Sequence, residues 1–330
     1  MVCLIINTEA MNEDRLDILN RLGKTPLVRV ASTDLEQVNL YAKLESYNPT
    51  GSMKDRSAAY IIQKLLNSGE INKDTVLIES SSGNFGIALS AYCKKFGLRF
   101  YCVVDPNISA TNEYLIASLS TKVVKVDKVD KNGGYLLSRI EKVKQLREEI
   151  PNSYWVNQYG NPYNAEAYRE TLGKEICTDI DKIDYIFLGV SSGGTITGVS
   201  QKVKEVFPRA RVIAVDTVGS VIFGGSPQKR YIPGIGSSMV PDILRYAKID
   251  EVVMVDESSA VEMCHELLKL QCLFVGGSSG SVYAGIKKYF NGKVFGEKPN
   301  VLAIFADRGD RYMDTIYSEE WVSRFLKKIL

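Results

Sequence analysis

Short runs of β-branched and aromatic residues recur along the chain, and helical patterns separate most of them. The runs are NLYAKLE (39–45), TVLIES (75–80), RFYCVVD (99–105), KVVKV (122–126), DYIFLGV (184–190), RVIAVD (211–216), EVVMVD (251–256) and VLAIFAD (301–307). Between them, apolar residues at helical spacing predict helices over 53–67, 84–96, 110–119, 133–149, 164–178, 195–206, 257–271 and 279–290. Several of the β-rich runs are apolar throughout rather than alternating, as a strand covered on both faces requires. The alternation predicts an α/β fold built on two doubly wound open sheets. Pro and Gly interrupt it near 151–163, PNSYWVNQYGNPY, which is the natural place for a domain boundary in a chain of 330 residues.

Composition narrows the function by exclusion. A net charge of +2 gives no reason to expect nucleic acid or an acidic membrane surface as a partner. The opening MVCLIINTEAMNEDR lacks the basic start of a secretory signal, and no apolar run is long enough to span a membrane. The cysteines (Cys3, Cys93, Cys102, Cys177, Cys264 and Cys272) form no CxxC pair and mostly sit in apolar segments, so buried free thiols in a reducing cytoplasm are expected. His265 is the single histidine, placed in an ordinary amphipathic stretch, SSAVEMCHELLKL. Histidine-rich metal sites are excluded, no metal is expected, and a Ser-His-Asp triad has little room. If the chain is an enzyme, lysine becomes the leading candidate for proton transfer.

One lysine stands out. In NPTGSMKDR (48–56), Pro49 and Gly51 make a turn that opens the helix at 53–67, which puts Lys54 in the first helical turn. A positive charge is locally unfavourable there, because the exposed N–H groups and the macrodipole are also positive. Two strand-to-helix loops add to this. SSGNFG (81–86) offers N–H groups and hydroxyls at a helix start, suited to a carboxylate, although taken alone it serves equally well as an N-cap loop. SSGGT (191–195) has adjacent glycines that let the backbone approach a phosphate, without the sequence of a nucleotide-binding loop. GGSSGS (276–281), taken alone, is a Gly/Ser turn between helices, and NQYGNP (157–162) places amide side chains at the domain boundary. A lysine, a carboxylate cup and a phosphate cup without histidine form the inventory that pyridoxal phosphate chemistry needs.

Taken in order, NPTGSMKDR, SSGNFG, NQYGNP, SSGGTITG and GGSSGS resemble the fold type II pyridoxal-phosphate enzymes of the cysteine synthase and cystathionine β-synthase family, over nearly the whole chain. The resemblance implies that Lys54 carries pyridoxal 5'-phosphate and is the catalytic base at the substrate Cα. It implies that Asn84 bonds the cofactor's ring oxygen, that Ser191, Ser192, Gly193, Gly194 and Thr195 cup its phosphate, and that Ser278 faces its pyridine nitrogen. Ser81, Ser82, Phe85 (through its backbone) and Gln158 correspond to the substrate carboxylate site. A neutral hydroxyl opposite the ring nitrogen favours departure of a β-substituent over transamination. The implied reaction is β-replacement: a leaving group departs from a serine derivative and a nucleophile adds at Cβ. The implied organisation is a smaller domain over 46–158, a larger one made of 1–45 and 159–330, and a cytoplasmic homodimer.

The departures from cysteine synthase point to a narrower branch. Phe85 stands where that enzyme usually has a second Thr in TSGNTG, Ser191 replaces the first Gly of GTGGT, and Tyr159 stands where NQF is common. With VDPNISATN, NGGYLLSRI, VGSVIFGG, PGIGSSMVP and DRGDRYMDTIYSEEW, these changes resemble the synthases that make N-(2-amino-2-carboxyethyl)-L-glutamate. That branch implies O-phospho-L-serine as donor and the amino group of L-glutamate as nucleophile, on the route to the siderophore precursor L-2,3-diaminopropionate. Tyr159 and Ser191 are the residues expected to tune substrate choice. Arg230, Arg308 and Arg311 lie near loops where extra negative charge would need them, but solvated surface positions suit them as well, and none is taken as a site residue. A sulfide-using cysteine synthase, cystathionine β-synthase chemistry and a non-catalytic cofactor-binding relative are the alternatives.

Overall fold

The computed structural model describes residues 17–130 and 133–329. The strands are β1 (Leu27–Arg29), β2 (Asn39–Leu44), β3 (Val76–Ser80), β4 (Arg99–Val104), β5 (Lys122–Lys125), β6 (Ser153–Trp155), β7 (Tyr185–Gly189), β8 (Arg211–Thr217), β9 (Glu251–Val255) and β10 (Asn300–Phe305). They form a 6-stranded sheet in the order β1-β2-β10-β7-β8-β9 and a 4-stranded sheet in the order β5-β4-β3-β6. Every pairing is parallel except that of β1 with β2. Each run proposed as a strand is one. β1 and β6 were not foreseen, and β6 falls inside the Pro/Gly interruption at 151–163.

The helices are α1 (Asp17–Asn20), α2 (Lys54–Ser68), α3 (Asn84–Phe96), α4 (Ala110–Leu119), α5 (Leu136–Glu149), α6 (Pro162–Tyr168), α7 (Lys174–Asp179), α8 (Gly194–Val206), α9 (Glu257–Gln271), α10 (Gly277–Phe290) and α11 (Glu319–Ile329). Three expectations need correction. The helix expected over 164–178 is divided into α6 and α7 by a wider π-type turn at Arg169–Gly173. The helix expected from 133 starts at Leu136, because the Asp130 carboxylate accepts the N–H groups of Gly134 and Leu137 and holds residues 133–135 in a bend. The stretch GGSSGS is not a loop. It forms the first turns of α10, whose small residues allow close packing on α9: a Cβ at Gly280 would collide with the Ala260 carbonyl and the Cys264 sulfur.

Strand alternation sorts the core. In the larger sheet Phe187, Ile213 and Val215 pack toward α9 and α10, while Ile186, Leu188, Val212 and Ala214 pack toward α8. In the smaller sheet Leu77, Phe100 and Cys102 face α2 and α3, and Val76, Ile78 and Val103 face α5. Both faces of each sheet are therefore covered, as the continuous apolar runs require. Cys93, Cys102 and Cys264 are buried free thiols as expected, but Cys177 is half-buried and Cys272, at the end of α9, is exposed; Cys3 lies outside the described residues. Among the described residues no helix is long and apolar enough to cross a membrane.

A buried ionic network fixes the start of α2. Arg56, fully buried, is gripped by Glu45 (Nε–Oε2 2.6 Å) and Glu175 (Nη1–Oε1 2.7 Å), and the buried Lys43 binds Asp179 at 2.5 Å. Desolvation offsets much of the Coulomb gain of such a network, so its main effect is geometric: it sets where the end of β2, α2 and α7 meet.

Candidate active site

A cleft of about 430 Å³ lies where both sheets present the carboxyl ends of their strands, the usual ligand position in open α/β sheets. All the candidate site residues except Gly194 line it. Gly194 is buried just beneath, as the first residue of α8, packed against the Asn164 amide.

Lys54 opens α2 at the floor of the cleft. The turn before it uses Gly51 at φ +84°, and the Asp55 carboxylate folds back to accept Thr50 N–H (2.9 Å) and Thr50 Oγ1–H (2.7 Å). Burial pushes the Asp55 carboxyl up to about 6, against the opposing effect of those hydrogen bonds. The N–H of Met53 donates to the Ala306 carbonyl at 2.9 Å, which ties the turn to the end of β10. Lys54 is partly exposed to the cleft, and its ammonium makes no hydrogen bond or ion pair among the described residues.

The two loops named as anion cups face this lysine. At SSGGT, Gly193 takes φ +84° and lets α8 begin with the N–H groups of Gly194 and Thr195 lacking backbone acceptors, a cradle for an anion. Ser191 donates to the Gly236 carbonyl (3.1 Å), and Thr195 is buried with its hydroxyl against the Met53 sulfur. At SSGNFG, Ser81 Oγ accepts Gly86 N–H (3.0 Å) and so caps α3 from within. The Ser82 hydroxyl donates to Asp105 Oδ2 (2.8 Å) and accepts from Asp105 N–H and from Arg139 Nη1. The Ser82 hydroxyl is thus engaged within the protein, while Ser81 Oγ only accepts; the donors left open here are the Ser81 O–H and the N–H groups of Asn84 and Phe85. The Phe85 side chain itself is buried in the smaller sheet's core.

Gln158 and Tyr159 complete the cleft wall through a buried carboxylate, Glu79. Its Oε2 accepts Gln158 N–H (3.1 Å) and its Oε1 accepts Ser80 N–H (2.7 Å), so one side chain spans the two loops. Burial pushes the Glu79 carboxyl up to about 7 despite these bonds. Gln158 Nε2 donates to the Ser80 carbonyl at 3.3 Å. Burial raises the Tyr159 phenol, while the nearby Arg139 and Arg230 act in the opposite direction. The hydroxyl of Ser278, buried in the first turn of α10, has no hydrogen-bond partner among the described residues.

Residues 18–307 match the family of pyridoxal-phosphate dependent enzymes. The chain belongs to that family. Among solved structures it is similar to an O-acetylserine dependent cystathionine β-synthase from Helicobacter pylori, at 32% identity over 91% of this chain and 98% of that one, with a TM-score of 0.84. It is also similar to an O-ureido-L-serine synthase (29% identity, 94% and 98% covered, TM-score 0.84) and to a hydrogen sulfide-producing enzyme from Fusobacterium nucleatum (28%, 89% and 98% covered, TM-score 0.84). The fold is that of the fold type II pyridoxal-phosphate enzymes, and the cofactor is pyridoxal phosphate. The cleft suits it: an open anion cradle at α8, an unpartnered lysine ammonium and an unpartnered Ser278 hydroxyl lie on one surface.

The site also contains residues that the sequence reading missed or set aside. Arg311 is not a solvated surface residue: it lines the cleft and donates to Asn84 Oδ1 and to the Thr50 carbonyl. Arg230 also lines the cleft, donating to Ser238 at 3.1 Å, and its Nη1 is buried without a partner. Arg308 does point to solvent, 64% exposed beside Asp310. Arg139, on α5, was not singled out. It pairs with Asp105 at 2.8 Å, and its buried Nε has no partner. Asp307 was missed as well; it is buried and bonded to Asn84 and Tyr312.

Proposed function

We propose that the protein catalyses β-replacement on O-phospho-L-serine with the amino group of L-glutamate, forming N-(2-amino-2-carboxyethyl)-L-glutamate and phosphate. The observation that carries this reading is the cationic cleft wall. Arg139 and Arg230 each keep a buried guanidinium nitrogen without a partner, on the same cleft as Lys54 and Arg311. Sulfide and O-acetylserine bring little negative charge to the cations grouped on this cleft. A phosphate donor and a dicarboxylate acceptor bring the acidic oxygens they lack.

The chain's own residues would divide the work as follows. Lys54 Nζ holds the cofactor and then takes the proton from the substrate Cα. The open N–H groups of Asn84 and Phe85, with Gln158, hold the substrate carboxylate. The α8 cradle (Ser191 to Thr195) holds the cofactor phosphate, and Ser278 faces the ring nitrogen as a neutral group. Arg139 and Arg230 receive the remaining acid groups of donor and acceptor, and Tyr159, between them, shapes the opening. When bound, the cofactor supplies the electron-withdrawing ring that lets the Cα proton and then the β-substituent leave. The C–O bond breaks with its electrons going to phosphate, and the glutamate nitrogen forms the new bond to Cβ and loses a proton. The proposed assembly is a cytoplasmic homodimer, with residues 46–158 as the smaller domain and 1–45 plus 159–330 as the larger.

The test is a mass spectrum of the product from O-phospho-L-serine, L-glutamate and sulfide supplied together. A three-carbon serine-derived fragment on the glutamate nitrogen is the expected result. Cysteine as the main product would refute the glutamate reading and favour sulfide chemistry.

A further inference from the structure

We infer that Asp307 and Arg311 are positioning residues that lock the Asn84 amide in one orientation, so that a single N–H of its Nδ2 faces the cleft toward an anionic oxygen of the cofactor ring. The inference rests on the cofactor lying in the cleft beside Lys54. An asparagine amide is nearly symmetric in shape, and only its neighbours decide which side donates and which accepts. At Asn84 both neighbours decide it the same way. Nδ2 donates to Asp307 Oδ2 at 2.6 Å, and Oδ1 accepts from Arg311 Nη1. A carboxylate only accepts and a guanidinium only donates. The flipped amide would set its carbonyl against the carboxylate and its NH2 against the guanidinium, so both contacts would turn repulsive.

Each half of the lock is itself fixed. Asp307 is 1% exposed and takes the Tyr312 hydroxyl on the same Oδ2 at 2.5 Å. Burial raises its carboxyl above the usual range, with Tyr312, Asn84, Arg311 and Lys54 acting in the opposite direction, and the Tyr312 hydroxyl keeps Oδ2 an acceptor toward Asn84. Arg311 spends its second Nη on the carbonyl of Thr50, in the turn that leads to Lys54. One arginine thus ties the lysine's turn to the asparagine's amide. Asp307 is tied to that turn as well, through a backbone bridge to Ser52. Nδ2 carries two hydrogens. Asp307 takes one, and the other finds no acceptor among the described residues, although Asn84 lines the cleft. The site therefore offers a donor and withholds an acceptor, which suits an oxygen anion on an aromatic ring.

A side-chain exchange tests this on the cofactor-loaded protein, read by cofactor retention on dialysis, by the pH titration of the bound cofactor's visible absorption, and by thermal unfolding. Asn84→Asp sets two carboxylates in contact. It is expected to lower the unfolding temperature, shift the absorption titration and weaken cofactor retention roughly 10- to 100-fold, the loss of one hydrogen bond to a charged group. In the double variant Asn84→Asp/Asp307→Asn, the new amide donates to the new carboxylate. Thermal stability should return while retention and titration stay altered, because an oxygen and not an N–H now faces the cleft. Return of all three signals would make Asn84 a structural link only and overturn the lock. If the exchange does not fold, Asp307→Ser/Arg311→Met frees the amide to rotate, and wild-type retention and titration in that variant would overturn the lock equally. A Lys54→Ala protein that stays coloured would strike down the cofactor's placement and the lock together. A colourless one beside an unaltered Asn84→Asp strikes the lock alone.

Discussion

Glu79→Gln separates a carboxylate that stabilises the fold by its charge from one that the fold keeps despite its charge. Glu79 is fully buried at the end of β3, accepts N–H groups from Ser80, Trp155 and Gln158, and makes no ion pair among the described residues. Burial raises its proton affinity from the usual 4.5 to about 7. At about 1.4 kcal/mol per tenfold change in affinity, that is about 3 kcal/mol. A carboxyl that binds protons more tightly when folded contributes stability that is fully present below pH 4.5 and is lost as pH rises through about 7. Between pH 5 and pH 8 the loss from this one group is about 2.5 kcal/mol. The assay is urea unfolding of wild type and Glu79→Gln at both pH values. Other buried acids, Asp55 among them, titrate in both proteins, so the difference of differences isolates Glu79. The variant's drop in stability should be smaller than wild type's by about 2.5 kcal/mol. It should be less stable at pH 5, since a glutamine cannot accept at both oxygens. An equal pH dependence in the two proteins would refute the claim that this carboxylate is buried against its charge.

Lys54→Ala is expected to abolish both the cofactor's bound colour and turnover while the far-ultraviolet circular dichroism stays unchanged; near-normal turnover would end the role given to this lysine. Ser278→Asp should protonate the bound ring and shift the balance among products seen by mass spectrometry, whereas unchanged β-replacement would remove the argument for a neutral group there. Arg56→Met leaves the fully buried Glu45 without its partner and should cost about 3–5 kcal/mol in urea unfolding. A loss under 1 kcal/mol would show that the network adds little. For the proposed reaction, Arg139→Leu should raise KM for one of the acidic substrates roughly 10- to 100-fold, the scale of one charged hydrogen bond. A KM unchanged for both O-phospho-L-serine and L-glutamate would remove Arg139 from substrate binding.

What was legible in the sequence followed from how locally each feature is determined. The longer strands and most helices could be read because a strand buried on both faces must be apolar throughout, and a helix with one buried face must repeat its pattern. β1 and β6 are only three residues long, LVR and SYW, too short for any period to show. The cups and Lys54 were legible because small residues and a misplaced charge at a helix start are local signals. Asn84, Gln158, Tyr159 and Ser278 were legible through the order of the motifs; the roles of the cleft's arginines and of Asp307 were not. Arg139 sits on a helix whose exposed face carries many charges, and nothing nearby marks it; its meaning comes from Asp105 and Ser82, which β4 and the β3–α3 loop bring to it. Asn84 and Asp307 are 223 positions apart and touch only because β10 ends beside the start of α3. Local pattern therefore identifies the groups that bind by backbone and by being out of place. The side chains that aim those groups depend on contacts between sheets, and for Asn84 the direction of its free N–H is decided by two residues that no local motif connects to it.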